Sequence, residues 1–325
     1  MPIAISGVPV TPAPTPTPLP PGYYQKPFPA PSVEVPSLAP YQFWFNGFTF
    51  GPGTALEIKK INGADMPTVR TGDSGRPRDH GLFVGLDVMG GNELTLEGDL
   101  QTDNVSFAHA WQALAAATVP GGTIESPLYM ALPGYGTLVS MRRVRKRNMP
   151  IDITFALGNL AAVTFLFAAS DPRFYSTPTA SQSATPPGTS SGFTFPLTFP
   201  LSFGGGSAAG VISVTNSGNI ESRPILTVEG PCTNPSITLA SVEGSPNLTF
   251  GLAMNAGDKL VLGTDLHTAT YYTAGSTIGA TRLYALVAGS QWFTLGPGVS
   301  TLQFWTSDPE PSGKLTCESA SANII

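Results

Sequence analysis

Charged side chains are scarce in this sequence, and a surface with few charges is typical of a protein that binds other proteins. Asp, Glu, Lys and Arg make up 11% of the 325 residues, and the formal net charge is −5. An average globular protein carries about 25% charged residues. Because the centres of protein interfaces are depleted in Lys, Glu and Asp, this composition favours an assembly component over a free monomer.

Long apolar runs and cysteines are also missing. No run reaches the roughly 20 residues that cross a bilayer, and no Lys or Arg precedes Lys26, so we expect neither a membrane span nor a secretory signal. The two cysteines, Cys232 and Cys317, are too few and too far apart for a structural metal site. We expect two buried thiols, since a disulfide requires their strands to lie side by side.

The sequence offers no catalytic constellation. "GDSG" at 72–75 resembles the nucleophile loop of chymotrypsin-like proteases, but those enzymes place the catalytic His and Asp before the Ser. No His precedes Ser74, and His80 follows it, so these four letters predict a turn. The other histidines, His109 and His267, stand alone. We therefore expect no catalytic residue, no metal, no cofactor and no enzymatic activity.

Turn-forming residues are abundant and divide the chain. The 36 Gly and 33 Pro, together with many Thr, Val and Phe, predict a mainly β protein with short strands. Residues 1–40 contain 13 prolines and predict an extended arm, either disordered or docked on a neighbour. Residues 41–175 predict a β-sandwich-like domain with one helix. Residues 176–206 predict a connector, first flexible and then rich in Phe and Pro. Residues 207–325, with about eight strands, predict a sandwich or jelly roll.

The first domain contains two local signals. "FWFNGFTFG" places Asn-Gly between apolar runs, which predicts a hairpin. "NVSFAHAWQALAAAT" at 104–118 predicts a helix, with Phe107, Trp111 and Leu114 on one face. We expect that face to be buried.

A basic strip stands out in an otherwise acidic chain. It comprises Arg142, Arg143, Arg145, Lys146 and Arg147. On a strand over 138–147, alternation would place Arg143, Arg145 and Arg147 on one face and Arg142, Val144 and Lys146 on the other. We expect neither face to enter a core, because burying an unpaired charge is costly. The strip is then an interface to an acidic neighbour, a solvated surface, or the lining of a DNA channel.

An ordered series of segments resembles one known family. "FGPGTALEIKKINGADMPTVRTGDSGRPRDHGLFVGLDVMGGNELTLEGDL" resembles the opening of the distal tail protein (Dit) and minor tail protein family of long-tailed phages. "YGTLVSMRRVRKRNMPIDITFAL", "VTNSGNIESRPILTVEGPCTNPSI" and "GSQWFTLGPGVSTLQFW" resemble later parts of that family in the same order. The resemblance covers about residues 41–320 and leaves the Pro-rich arm unmatched.

The resemblance implies an assembly. In this family an N-terminal β domain closes into a ring, usually a hexamer, and a galectin-like β-sandwich projects from it. The ring joins the tail tube to tail-tip hub or baseplate proteins, DNA passes through it during ejection, and the tape-measure protein is a further candidate partner. The chain would then belong to the distal end of the tail of the virion, after assembly in the host cytoplasm.

A function of another class is binding of host-surface carbohydrate by the second domain. Its candidate stacking residues are Tyr271, Tyr272, Trp292 and Trp305. The sugar-binding side chains of galectins are not recognisable in the sequence, and aromatic residues of a sandwich are most often core. Both readings of these four residues stay open at this stage.

Overall fold

The computed structural model contains two compact units of mainly β structure. It describes residues 26–30, 34, 36–65, 67–102, 104–151, 155, 157–187, 210–240, 244–308 and 313–325. Unit 1 comprises Pro36–Thr137 and Met141–Pro172; unit 2 comprises Leu138–Ser140, Arg173–Ile325 and the described part of 26–35. The described residues form one α-helix, which confirms the predicted mainly β class. Residues 1–25, 31–33 and 35 of the predicted Pro-rich arm (1–40) and residues 188–206 of the predicted connector (176–206) lie outside the described residues.

Unit 1 is built on a mostly antiparallel sheet. Its elements are β1 (Phe43–Phe45), β2 (Phe48–Phe50), β3 (Leu56–Asn62), β4 (Val69–Arg70), β5 (Ser74–Gly75), β6 (Leu82–Phe83), β7 (Val88–Met89), β8 (Asn92–Gln101), α1 (Asn104–Ala117), β9 (Ser126–Leu132), β10 (Gly136–Asn148) and β11 (Asn159–Ala169). The main strand order is β2-β1-β9-β10-β11-β8-β3. Alternate residues of β8, among them Leu94 and Leu96, are buried, as expected for a strand with one face on the core.

The predicted hairpin is present at the start of the sheet. Phe45 pairs with Phe48, and Asn46 and Gly47 form the two-residue turn with φ of 46° and 87°. Two consecutive positive φ values define a turn whose twist matches the strands, which is why Asn-Gly is favoured here.

The predicted helix is also present, and its apolar face is core. Phe107 and Leu114 are buried, whereas Trp111 is half-buried. The rings of Phe107 and Trp111 both contact Phe155 edge-on, with centroids 5.0 and 5.7 Å away. The expectation of a fully buried Trp111 is therefore only partly met.

Residues 63–91 form an insertion between β3 and β8. From here on, "the arm" means this insertion and not the Pro-rich residues 1–40. Within it β4 pairs with β7 and β5 pairs with β6. The "GDSG" stretch is thus a strand at Ser74–Gly75 rather than a turn. Asp73 accepts a hydrogen bond from the N–H of Gly85 at 2.8 Å. A Cβ on Gly85 would lie 2.1 Å from the carbonyl carbon of Gly72, so the two segments cross closely enough to require glycine there.

Unit 2 is a sandwich of two antiparallel sheets. Its elements are β12 (Phe174–Ser176), β13 (Ala180–Ala184), β14 (Val211–Asn216), β15 (Ile225–Glu229), β16 (Cys232–Thr233), β17 (Ser236–Ala240), β18 (Asn247–Thr249), β19 (Ala253–Met254), β20 (Lys259–Gly263), β21 (Thr268–Tyr272), β22 (Ala280–Thr281), a 3₁₀ turn (Leu283–Ala285), β23 (Gly298–Trp305), β24 (Lys314–Ser319) and β25 (Ala322–Asn323). One sheet has the order β13-β24-β15-β20-β21-β22 and the other β14-β23-β17-β18. Side chains from both enclose one apolar core.

Both cysteines lie in this core as free thiols. Cys232 and Cys317 are buried and unpaired, as the sequence led us to expect. Burial raises the pKa of the Cys232 thiol to about 11 and that of Cys317 to about 12. Both stay protonated at neutral pH, and a protonated thiol is a poor nucleophile and metal ligand.

The start of the predicted flexible connector is ordered in the structure. Residues Ala180–Ala184 form the edge strand β13, which pairs with β24 from Ala180–Ser319 to Ala184–Leu315. The Ser- and Thr-rich composition suggested flexibility, but the edge of β24 supplies hydrogen-bond partners that composition does not reveal.

The last residues of the Pro-rich segment are anchored on unit 2. Phe28 is fully buried, and its ring centroid lies 5.1 Å from that of Tyr175. Lys26 forms an ion pair with Glu318 at 2.5 Å, and Thr179 Oγ1 donates to the carbonyl of Pro29. Phe28 therefore belongs to the packed interior of unit 2, although 147 residues separate it from Tyr175 in the sequence.

We predict that Phe28→Ala destabilises unit 2 by about 3–5 kcal/mol, because it removes a fully buried ring and leaves a cavity. Denaturant melting followed through Trp292 and Trp305 measures the loss. Leu266→Ala, at a mainly exposed position of the same unit, should change stability by less than about 0.5 kcal/mol. A similarly small effect of Phe28→Ala would show that the anchor is not part of the core.

Candidate functional site

Arg142 lies in the interior of unit 1, where the sequence predicts no charge. Its side chain is 0% exposed, and its Nη2 donates a hydrogen bond to Asn92 Oδ1 at 3.1 Å. Burial lowers the pKa of Arg142 to about 10, while the carboxylate of Glu125 favours its charged form. The guanidinium therefore remains charged at neutral pH. The expectation that neither face of the strip enters the core is wrong, because Asn92 and Glu125 compensate the buried charge.

A β-bulge at Arg145 changes which residues share a face. Val144 pairs with Phe167, and Lys146, rather than Arg145, pairs with the next residue, Leu166. Arg147 then lies opposite the buried Phe165, on the same face as Val144. Simple alternation placed Arg147 with Arg143, so that assignment is wrong, because the extra residue of a bulge reverses the faces beyond it.

Arg147 holds the end of the helix. Its Nη1 donates to the carbonyl oxygens of Ala115 at 2.8 Å and Thr118 at 3.4 Å. The last carbonyls of a helix lack partners within it, and a positive charge there also opposes the negative end of the helix dipole. Arg147 thus fastens the C-terminal end of α1 to β10.

The other three cations of the strip differ in how firmly they are engaged. Arg145 forms an ion pair with Glu93 of β8. Burial raises the pKa of Glu125, and the positive charge of Arg143 acts against that rise. Lys146 is exposed and makes no hydrogen bond or ion pair with any residue that the structure describes. Among the described residues Lys146 is therefore the exposed cation of the strip that is not engaged within unit 1, whereas Arg143, which also lacks a hydrogen bond, is half-buried.

A groove of about 650 Å³ runs along this part of the strip. It is lined by Thr95, Pro120, Arg145, Lys146, Arg147, Asn148, Thr164 and Leu166. Its cations suit a carboxylate or phosphate, and Pro120 and Leu166 add apolar contact. Within the described ranges no three His, Cys, Asp or Glu side chains come together as metal ligands. The groove is thus equipped for recognition by charge and shape.

The arm exposes apolar side chains that sequence reasoning missed. Val84 is 92% exposed, Leu86 81%, Phe83 58% and Leu82 54%. The apolar run "GLFVGLDVM" at 81–89 is the sequence signal that corresponds to them. Neighbouring apolar side chains exposed in this way are typical of an interaction surface.

The four aromatic candidates of unit 2 lie on different elements. The ring of Trp292 stacks on His267, before β21, at a centroid distance of 5.1 Å. Tyr271 and Tyr272 end β21, and the ring of Tyr272 packs against Gly279. Trp305 is mainly exposed at the end of β23, in the other sheet. The four candidates are therefore spread over both sheets of the unit, and sugar stacking at any of them stays a prediction.

Tyr271 is instead part of a polar cluster. Its hydroxyl donates to Asp258 Oδ2 at 2.5 Å, and Asp258 also accepts from the N–H groups of Asn255 and Ala274. These bonds, led by that of Tyr271, lower the pKa of Asp258. The guanidinium of Arg282 lies over the Tyr271 ring, with its central carbon 5.3 Å from the ring centroid. Sequence reasoning did not identify Arg282.

The fold is similar to solved structures of phage tail proteins. One is the crystal structure of the SPP1 Dit (gp 19.1) protein, described as a paradigm of the hub adsorption apparatus in phages that infect Gram-positive bacteria. It shares 14% identity at a TM-score of 0.54, over 87% of this chain and 98% of that one. A phage P2 baseplate structure in its activated, Ca-bound conformation shares 9% identity at a TM-score of 0.48, over 82% and 91%.

No protein-family model and no curated protein matches the chain. No helix among the described residues is long and apolar enough to span a membrane. The likeness to SPP1 Dit confirms the resemblance seen in the sequence at the level of the fold.

We predict that Asp258 makes the stability of unit 2 sensitive to acid. Its folded pKa lies below its unfolded value near 3.8, so its contribution is fully present above that value and is lost as pH falls through the folded pKa. Thermal melting between about pH 6 and pH 2 should show a steeper loss for the natural chain than for Asp258→Asn. Equal slopes would contradict the assignment. Asp73→Asn, which alters a carboxylate of unit 1, is the control.

Proposed function

We propose that this chain is a structural component of the tail tip of a long-tailed phage. In this proposal its copies form a ring, a hexamer, that joins the tail tube to the tail-tip hub or baseplate proteins and lets DNA pass during ejection. The observation that carries the proposal is the likeness in fold to SPP1 Dit, which extends over 98% of that chain. The role is structural rather than catalytic, and the protein would be located at the distal end of the tail.

The exposed arm supports self-association. Its apolar residues Val84 and Leu86 stand almost entirely in water in a single copy. A closed ring uses heterologous contacts, in which one surface of each copy meets a different surface of the next. An arm that leaves the sheet of unit 1 is suited to one side of such a contact, because it reaches outward while the sheet stays intact.

The basic groove supports a second contact, with acidic surface on a neighbouring subunit or tail protein. Arg142, Arg145 and Arg147 are engaged within unit 1, so the groove offers Lys146 as its available cation. A solvated strip and a strip that lines the DNA channel are the alternatives, and they differ in what charge reversal would do.

Leu86→Asp should prevent assembly while each copy stays folded. The natural chain of 33.8 kDa should form a species of about 200 kDa with a central hole, seen by light scattering and negative-stain imaging. A charged residue in an apolar contact leaves an unpaired buried charge at every joint of the ring. Leu266→Asp, at a mainly exposed leucine of unit 2, should assemble normally.

If the natural chain stays monomeric both alone and with tail partners, the proposal that it forms a ring is wrong. If Leu86→Asp assembles as tightly as the natural chain, the ring proposal stands, but the arm is not part of the contact between subunits. Circular dichroism of the monomeric variant shows whether the subunit has kept its fold.

Lys146→Glu should weaken assembly at least ten-fold if the groove contacts an acidic neighbour. Like charges that face each other across an interface cost several kcal/mol, whereas an exposed solvated charge contributes under about 1 kcal/mol. Sedimentation compares it with Lys60→Glu, which reverses an exposed lysine of β3 in the same unit. Normal rings with altered salt dependence of ejection would indicate a DNA-facing groove. Normal rings and ejection would indicate a solvated one.

A second candidate function is binding of host-surface carbohydrate by unit 2. The observation that favours it is the exposure of aromatic rings: Trp305 is 55% exposed and Tyr284, which sequence reasoning did not single out, is 77% exposed. Exposed rings of this kind are available to stack on the apolar face of a sugar. The likeness of this unit to galectins remains a prediction.

A further inference from the structure

Arg282 is held between two tyrosine rings at the surface of unit 2. Its guanidinium carbon lies 5.3 Å from the ring centroid of Tyr271 and 5.7 Å from that of Tyr284. Each distance is within the range of a cation–π interaction, and a planar guanidinium can lie flat against an aromatic face. Two such contacts restrict the orientation of a side chain that would otherwise be mobile.

The N–H groups of this guanidinium remain available. Arg282 is half-buried, and its side chain makes no hydrogen bond or ion pair with any residue in the described part of the chain. A guanidinium presents five donors in a planar fork that matches the two oxygens of a carboxylate or phosphate. An arginine that is oriented by rings and forms no ion pair with any described acidic residue is therefore prepared for an anion from outside.

The residues beneath Arg282 are themselves fixed. Asp258 is 3% exposed and binds the hydroxyl of Tyr271, which keeps that ring in place under the guanidinium. The backbone N–H of Arg282 donates to the carbonyl of Ala269 at 2.8 Å. Pre-organisation of this kind favours binding, because little side-chain entropy is lost when a ligand arrives.

The surroundings of Arg282 indicate which anion fits. Tyr284 is 77% exposed, and its ring lies beside the guanidinium of Arg282, with a centroid distance of 5.7 Å. A sugar ring has an apolar C–H face that packs on an aromatic ring and hydroxyls that remain in water. Stacking on Tyr284 while an acidic group binds Arg282 would use both features at once.

We propose that unit 2 binds an acidic glycan, a saccharide or polyol chain that carries carboxylate or phosphate groups, at Arg282 and Tyr284. The acidic group binds the guanidinium fork, and the adjoining sugar ring packs on Tyr284. The inference deepens the second candidate function, from carbohydrate in general to acidic glycans, and does not depend on ring formation. An acidic protein segment is a different partner and is an outcome of the test.

The test is calorimetric titration of the full chain with three probes. These are trigalacturonate, an oligomer of glycerol phosphate, and neutral galactotriose. We expect at least one acidic probe to bind, with affinity at least ten-fold above that for the neutral sugar. The comparison between the two acidic probes identifies carboxylate or phosphate as the group recognised.

Arg282→Gln should weaken binding of the acidic probe at least ten-fold, because the amide retains polarity but loses the charged fork. Arg282→Lys should recover only part of the affinity, since a point charge cannot bind an acid in the bidentate manner. Tyr284→Ala should weaken binding as well. The control is Arg76→Gln, which alters an arginine stacked on Phe83 in unit 1 and should change nothing.

Three outcomes would overturn the inference. The first is that neither acidic probe binds at millimolar concentration, or that Arg282→Gln binds as the natural chain does. The second is equal binding of neutral galactotriose, which would keep carbohydrate binding but remove its acidic specificity. The third is equal binding of hexaglutamate, which would indicate an acidic protein partner. Light scattering of the same samples reports ring assembly separately.

Discussion

The buried charge of Arg142 is the constraint on which the rest of unit 1 depends. An arginine in an apolar interior costs far more free energy than its hydrogen bonds return unless its surroundings compensate it. Asn92 at the start of β8 and Glu125 just before β9 supply that compensation. A one-residue slip of β10 would remove Arg142 from both, so the charge helps to select the register of the central strands.

The sequence predicts those structural elements that depend on residues close together in the chain. The hairpin at Asn46–Gly47 and the helix over Asn104–Ala117 depend on turn geometry and on spacing within a few residues, and both were predicted. The position of Arg142 was not, because it depends on Asn92, 50 residues away in the chain. The bulge at Arg145 was missed for a similar reason, since the partner strand sets the pairing.

The candidate sites also combine features that the sequence predicts with features that depend on residues distant in the chain. The basic strip was evident as a sequence, but only the structure separates cations engaged within unit 1 from Lys146. In unit 2 the sequence drew attention to two tyrosines and two tryptophans. It missed Arg282, because the two rings that contact this arginine come from different parts of the chain. Phe28 is a comparable case: it lies within the low-complexity segment 1–40, yet unit 2 buries its side chain completely.

The arm begins and ends at one place on the sheet of unit 1. Asn62, the last residue of β3, pairs with Thr95 of β8, so the chain leaves the sheet and returns to it between two hydrogen-bonded neighbours. Doubling the length of a flexible insertion at such a point costs only about 0.6 kcal/mol of closure entropy. The length of the arm can therefore change by insertion and deletion while the sheet that carries it remains the same.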